Sequence, residues 1–161
     1  MFWTLGGNQV GKGAIDGWRS VIRPALERNA RLWPFNGRLS ELSKLPGCVL
    51  CETYHVGIRF RPGGSKRIQE DRRMAGVARV NHAEKQGVIF TAEARHCILD
   101  GFGLSKSGED PFDATVGLLS MIEVVDGRRP EGCASTDEVT AWEGWILGQA
   151  SPQSRGQRPT D

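Results

Sequence analysis

Long apolar runs are absent from this sequence of 161 residues. A helix that spans a membrane needs roughly 18 to 20 consecutive apolar residues, and no stretch approaches that length. The opening residues, MFWTLGGNQVGKG, also lack the basic region and the apolar core of a secretory signal peptide. We therefore expect a cytoplasmic chain that has no membrane partner.

The chain has few cysteines and a small net charge. Without an export signal, we expect reduced thiols and no disulfide framework from the four cysteines, Cys48, Cys51, Cys97 and Cys133. A net charge of +2 does not by itself indicate a nucleic-acid partner, so such a prediction must rest on local clusters of charge. The length suits one domain with a real core.

The first half of the chain contains two short strand patterns, Phe2 to Leu5 and Cys48 to Tyr54. Between them, helical spacing predicts a helix with the apolar positions Ile15, Trp18, Ile22 and Leu26. Pro24 should kink that helix or mark a fresh start. A further short helix is expected from Arg38 to Leu45. Strands separated by helices favour a partly parallel α/β sheet.

Two longer helices are predicted in the second half. The first is capped by Ser65 and runs to about Lys85, with an apolar stripe formed by Ile68, Ala75, Ala78 and His82. The second begins at Asp110 or Pro111 and ends at about Asp126, and its inward positions are Phe112, Val116, Leu119, Ile122 and Val125. A short helix, Ala92 to Leu99, lies between them.

The segment Gly6 to Gly13 fits the phosphate-binding pattern G-x-x-x-x-G-K between a strand and a helix. The pattern fails at its last position, where Gly13 replaces the Ser or Thr whose hydroxyl would hold magnesium. The segment therefore favours a glycine-rich turn. A nucleotide-binding protein that uses the loop from Gly6 to Lys12 remains an alternative function.

Cys48 and Cys51 have the C-x-x-C spacing of zinc and redox sites. In a strand, however, these two positions point to opposite faces, whereas a zinc site needs a turn that brings both thiolates together. We therefore predict buried structural cysteines.

Acidic residues are the best candidates for chemistry. Glu52 shares a predicted strand face with Leu50 and Tyr54, and a buried carboxylate is costly unless it is paired or bound to a metal. A strand at the edge of the sheet, or an arginine such as Arg59 or Arg67 that neutralises the carboxylate, would also explain Glu52.

Asp110 and Asp113 lie at the start of the last long helix. On spacing alone they favour helix capping, because Asp110 suits an N-cap and Asp113 follows three residues later.

Several segments, in order over nearly the whole chain, resemble an uncharacterised family that is catalogued as a domain of unknown function. The matching segments are FWTLG (2–6), NQVGK (8–12), WPF (33–35), ETY (52–54), DGFG (100–103), GEDPFDA (108–114) and EGWILG (143–148). That family is predicted to consist of nucleases with a ribonuclease H-like fold.

The resemblance implies an α/β fold with a mixed sheet flanked by helices, of which residues 1–149 would form the C-terminal portion and 150–161 a disordered tail. It implies that Glu52 is the strand acid and that Asp110 or Asp113 is the helix acid, with all three as candidate ligands. Together these catalytic carboxylates would hold Mg²⁺ or Mn²⁺ and activate water to attack a phosphodiester. A nucleic-acid groove would use Arg59, Arg61, Lys66, Arg67, Arg72 and Arg73, although a solvated helix face explains the same cluster.

In the family, a first strand carrying an aspartate precedes the FWTLG segment. No acidic residue precedes Asp16 in this sequence, so the resemblance implies an incomplete ribonuclease H-like fold. A truncated, non-catalytic remnant that serves as an interaction module is therefore the second hypothesis.

Overall fold

The computed structural model of the chain describes residues 10–53, 60–132 and 144–149. The chain divides into two compact units, the first formed by residues 1–52 and 133–145 and the second by residues 53–132 and 146–161. The secondary structure is mixed α/β and mostly helical, which confirms the α/β class. No helix within the described ranges is long and apolar enough to cross a membrane.

The first unit begins with a helical stretch from Val10 to Leu26. It consists of α1 (Val10–Gly17), a π-helical turn (Trp18–Ile22) and α2 (Arg23–Leu26). Pro24 lies in the first turn of α2, where a residue needs no intrahelical N–H donor. The predicted helix and its restart near Pro24 are therefore confirmed.

A two-stranded parallel sheet follows in the same unit. Its strands are β1 (Arg31–Leu32) and β2 (Val49–Leu50), with Leu32 opposite Leu50. The N–H of Trp33 extends the pairing by donating to the carbonyl of Leu50 at 2.9 Å. The helix α3 (Leu39–Leu42) lies between the strands in sequence, inside the range predicted for it.

The sheet is smaller than the sequence indicated. The predicted strand from Cys48 to Tyr54 is shorter in the structure, because regular pairing covers only Val49 and Leu50. The predicted strand from Phe2 to Leu5 lies outside the described residues, as do the 150–161 tail and Tyr54 itself.

The second unit contains α4 (Gln69–Lys85), α5 (Ala92–Asp100) and α6 (Glu109–Val125), with a 3-10 turn at Lys106–Gly108 before α6. Its core consists of the buried side chains of Val80, Ala83, Ile98, Phe112, Val116, Leu119, Val124 and Leu147. The helices α4 and α5 approach closely at Gly76, where a Cβ atom would lie 2.6 Å from the carbonyl oxygen of Ile98. Only glycine permits that approach.

The predicted apolar stripe of α4 is wrong. The helix begins at Gln69 and not after Ser65, and Ile68, Ala78 and His82 are exposed. Its buried residues are Asp71, Arg72, Gly76, Val80 and Ala83. The inward face therefore carries two charged side chains that the sequence pattern assigned to the surface.

The helix α6 matches its prediction more closely. Phe112, Val116 and Leu119 are buried as expected, whereas Val125 is 66% exposed. Glu123 and Val124 complete the buried face. Gly108 occupies the N-cap position, so Asp110 lies inside the first turn of the helix and is not the predicted N-cap.

Candidate functional site

The two acidic side chains predicted on α6 differ in their surroundings. Asp110 is exposed in the first turn, near the positive end of the helix. Asp113, one turn later, is partly buried, and its Oδ2 atom accepts a hydrogen bond from the ammonium of Lys66. Lys66 and Asp113 retain 36% and 28% of their side-chain exposure, so this ion pair remains accessible to solvent.

Arg72 positions the segment that carries Lys66. Its guanidinium donates from Nη1 to the carbonyl of Lys66 at 2.5 Å, from Nε to the carbonyl of Gly101 at 2.7 Å and from Nη2 to the carbonyl of Gly103 at 2.6 Å. These bonds connect the loop before α4 to the loop that leads into α6. They require Gly108 to lack a side chain, because a Cβ atom there would lie 2.9 Å from Nη2 of Arg72.

Arg72 was predicted as a nucleic-acid contact, and the structure corrects that assignment. Its side chain is fully buried, at 0% exposure. Because carbonyl oxygens surround the guanidinium, Arg72 offers no surface to a phosphate.

Asp71 fixes the same loop from the other side. Its carboxylate accepts a hydrogen bond from the N–H of Ser65 at 2.9 Å and another from Nε of Arg61 at 2.6 Å. These two donors, the backbone N–H first, lower the pKa of Asp71 against the opposing effect of burial. Ser65 therefore contributes its backbone to the loop and does not cap α4.

Among the described residues, the other predicted basic contacts are accessible. Arg61 is 57% exposed beside Asp71, and Arg73 is 51% exposed beside Glu70. Arg67 is also exposed. Arg59 lies outside the described residues.

Glu123 forms a second charged centre in this unit. Its buried carboxylate lies 2.8 Å from Nη2 of Arg129, 3.3 Å from Nε2 of His82 and 3.6 Å from Nη1 of Arg79. Burial lowers the pKa of Arg79, while the Glu123 carboxylate opposes that shift. The sequence analysis missed this centre because Glu123 falls on the apolar face of α6.

Glu52 belongs to the first unit, two residues after the end of β2, and its side chain is exposed. The prediction that Glu52 is buried on the same strand face as Leu50 is therefore wrong. Glu52 borders a cleft of about 500 Å³ that also includes Trp18, Trp33 and Trp145. The sequence analysis did not predict this cleft, because its tryptophans are far apart along the chain.

Contrary to the prediction, neither Cys48 nor Cys51 is fully buried. Cys48 is exposed and Cys51 is half-buried. Burial, together with the neighbouring Cys48, raises the pKa of the Cys51 thiol.

A structural metal site needs several His, Cys, Asp or Glu ligands placed together. Within those ranges, no group of three or more His, Cys, Asp or Glu side chains is placed to hold a metal ion. Residues 6–9 of the glycine-rich segment and Cys133 lie outside the described residues. The described helix α1 begins at Val10.

Comparisons of the chain with protein-family models, with curated proteins and with solved structures found no match.

Proposed function

We propose that this chain belongs to a divalent-metal-dependent phosphodiester hydrolase with a ribonuclease H-like fold. In this proposal, Asp113 and Asp110, both on α6, provide carboxylate oxygens for Mg²⁺ or Mn²⁺. The single observation that carries the proposal is the pair of Lys66 and Asp113, a half-buried carboxylate on α6 whose partner is a solvent-accessible ammonium.

The chemistry of this pair suits an exchangeable site. A lysine ammonium is a compact charge on a flexible stem, whereas an arginine would hold the carboxylate through a fixed fork. A divalent cation can therefore displace Lys66 from Asp113. Lys66 would then be available to contact a phosphate oxygen of the substrate.

The surface near this pair suits an anionic polymer. Arg61 precedes Lys66 on the same loop, Arg67 follows it, and Arg73 is exposed on α4. Such side chains contact phosphates without reading sequence. Arg72 and Asp71 would act indirectly, because they hold the loop that presents Lys66.

The resemblance to the nuclease family implies a further carboxylate on a first strand, in addition to the acids named above. Metal binding and hydrolysis are therefore tested separately.

The hydrolysis test uses fluorescent single-stranded and double-stranded oligonucleotides with Mg²⁺, Mn²⁺ or EDTA. We expect cleavage that requires metal and falls on the order of 100-fold in Asp113→Asn. Asp126→Asn is the matched control, because Asp126 is exposed beyond the far end of α6 and pairs with Arg128. Cleavage that persists in EDTA, or equally in Asp113→Asn, contradicts the proposal.

A Lys66→Met variant separates the two roles of Lys66. Because its ammonium competes with metal for Asp113, its removal should tighten Mn²⁺ binding several-fold. Because it is also expected to contact phosphate, the same variant should bind oligonucleotides more weakly in the presence of metal. If neither property changes, Lys66 is only a structural partner of Asp113.

A further inference from the structure

The cleft beside Glu52 has the size and the lining of a small-molecule site. Its volume of about 500 Å³ lies within the range of roughly 300 to 1,000 Å³ that is typical of ligand pockets. The lining comes from the first helical stretch, from the ends of both strands and from residues 144–145, all within the first unit.

Aromatic rings dominate this lining. Three of the five tryptophans of the chain, Trp18, Trp33 and Trp145, border the cleft together with Phe35. Trp33 is 4% exposed and anchors the cleft, whereas Trp18 is 52% exposed. Exposure of half of an indole to water is unfavourable in free energy. A bound ligand that covers this apolar surface would therefore be stabilised.

The charge of the lining has one sign. Glu52 is the charged side chain of the cleft, and no Lys, Arg or His among the described residues lines it. The faces of aromatic rings also carry negative potential, which attracts cations. A phosphate or carboxylate ligand would meet repulsion here, whereas a cation would meet both the indole faces and the Glu52 carboxylate.

We propose that this cleft binds a small organic cation of the alkylammonium class, with Trp18, Trp33 and Trp145 around the cationic group and Glu52 as its counter-ion. This site goes beyond the proposed hydrolase function and does not depend on it. Because a divalent metal would compete for the Glu52 carboxylate, the binding test uses metal-free buffer.

The test is a titration of the full-length chain with choline, followed by tryptophan fluorescence and by calorimetry. We expect saturable binding that changes the emission. The control is dimethylbutanol, the neutral analogue of choline in which a carbon atom replaces the quaternary nitrogen. It has the shape of choline without the charge. It should bind about tenfold more weakly, because only the charged form gains the cation–π and carboxylate attraction.

Variants connect that binding to the proposed residues. Glu52→Gln and Trp18→Leu change exposed side chains, so both variants should fold, and each should weaken choline binding at least about fivefold. Glu41→Gln removes another exposed acid of the first unit that does not line the cleft, and it should bind choline as the unmodified chain does. Circular dichroism verifies that each variant is folded.

Three outcomes of the choline and dimethylbutanol titrations would overturn the proposal. They are the absence of saturable choline binding, equal affinity for dimethylbutanol, and unchanged affinity in the folded Glu52→Gln and Trp18→Leu variants. Binding of a trimethyl-lysine peptide without binding of free choline would also overturn it, because the occupant would then be a protein. Since the titration contains no metal and no nucleic acid, its failure leaves the hydrolase proposal standing, and the reverse also holds.

Discussion

The two units differ in the burial of their charged and aromatic side chains. The second unit buries Asp71, Arg72 and Glu123 within its helices. The first unit leaves Trp18 and Phe35 about half exposed. In the second unit, buried charges therefore act as structural connections, whereas in the first unit exposed aromatic surface is what is available to a ligand.

The pair of Lys66 and Asp113 in the second unit differs from these buried charges. Lys66 and Asp113 are bonded but remain partly exposed, while Arg72 and Asp71 hold their surroundings in place. Removal of a buried charge should therefore destabilise the unit, whereas neutralisation of Asp113 should affect ligand binding more than stability.

The largest expected effect comes from Glu123→Gln. Neutralising this carboxylate leaves Arg79 and Arg129 without their buried counter-charge, a change that typically costs about 3–5 kcal/mol of stability. Urea unfolding measures the loss. Glu70→Gln, which removes a pair more than half exposed, should cost less than about 1 kcal/mol; equal costs would mean that the Glu123 centre is not structural.

A matched pair of phenylalanines tests the contrast in apolar burial. Phe112 is 1% exposed in the second unit and Phe35 is 49% exposed in the first. Phe112→Ala should cost about 3–5 kcal/mol in thermal or urea unfolding because it leaves a cavity. Phe35→Ala should cost less than about 1.5 kcal/mol, and the reverse order would contradict the assignment of the core.

The pH dependence of stability reports on Asp71. Because hydrogen bonds from Ser65 and Arg61 lower its pKa in the folded chain, Asp71 stabilises the fold above its unfolded value of about 3.9. That contribution is lost as the pH falls below this value and through the lowered folded pKa.

Urea unfolding between about pH 6 and pH 2 measures this contribution. The Asp71→Asn variant should lose less stability over that interval than the unmodified chain. Glu70→Gln, which changes an acid on the same turn of α4, should lose as much stability over that pH interval as the unmodified chain. If the stability of Asp71→Asn falls as steeply with pH as that of the unmodified chain, the two hydrogen bonds to Asp71 do not cause the loss of stability in acid.

The smallest effect concerns the thiols of the first unit. Because burial raises the pKa of Cys51 while Cys48 is exposed, alkylation at neutral pH should modify Cys48 before Cys51. Peptide mass spectrometry gives the order. Faster modification of Cys51 would mean that the strand end is more open than the structure shows.

The sequence predicted α6 better than α4 for a physical reason. Phe112, Val116 and Leu119 repeat with helical spacing and face the core, as their hydropathy requires. In α4, Arg72 is buried because distant carbonyls in the Gly101 to Gly103 segment satisfy it. A pattern of hydropathy contains no information about those partners.

The same limit of prediction from local sequence patterns applies to the candidate sites. Glu52 and Asp113 could be selected from local strand and helix patterns, because an acid at the end of a strand or the start of a helix is visible in sequence. The partnership of Asp113 with Lys66 spans 47 positions, and the cleft gathers Trp18 and Trp145 from opposite ends of the chain. Such long-range contacts depend on tertiary packing.

The most direct test of the central claim, that Asp113 holds a divalent metal, is a Mn²⁺ titration followed by electron paramagnetic resonance. Protein-bound Mn²⁺ loses the sharp signal of the free ion, so the assay reports binding without turnover. We expect the unmodified chain and Asp126→Asn to bind Mn²⁺ alike, and Asp113→Asn to bind it at least about tenfold more weakly. Equal binding by Asp113→Asn would contradict the account.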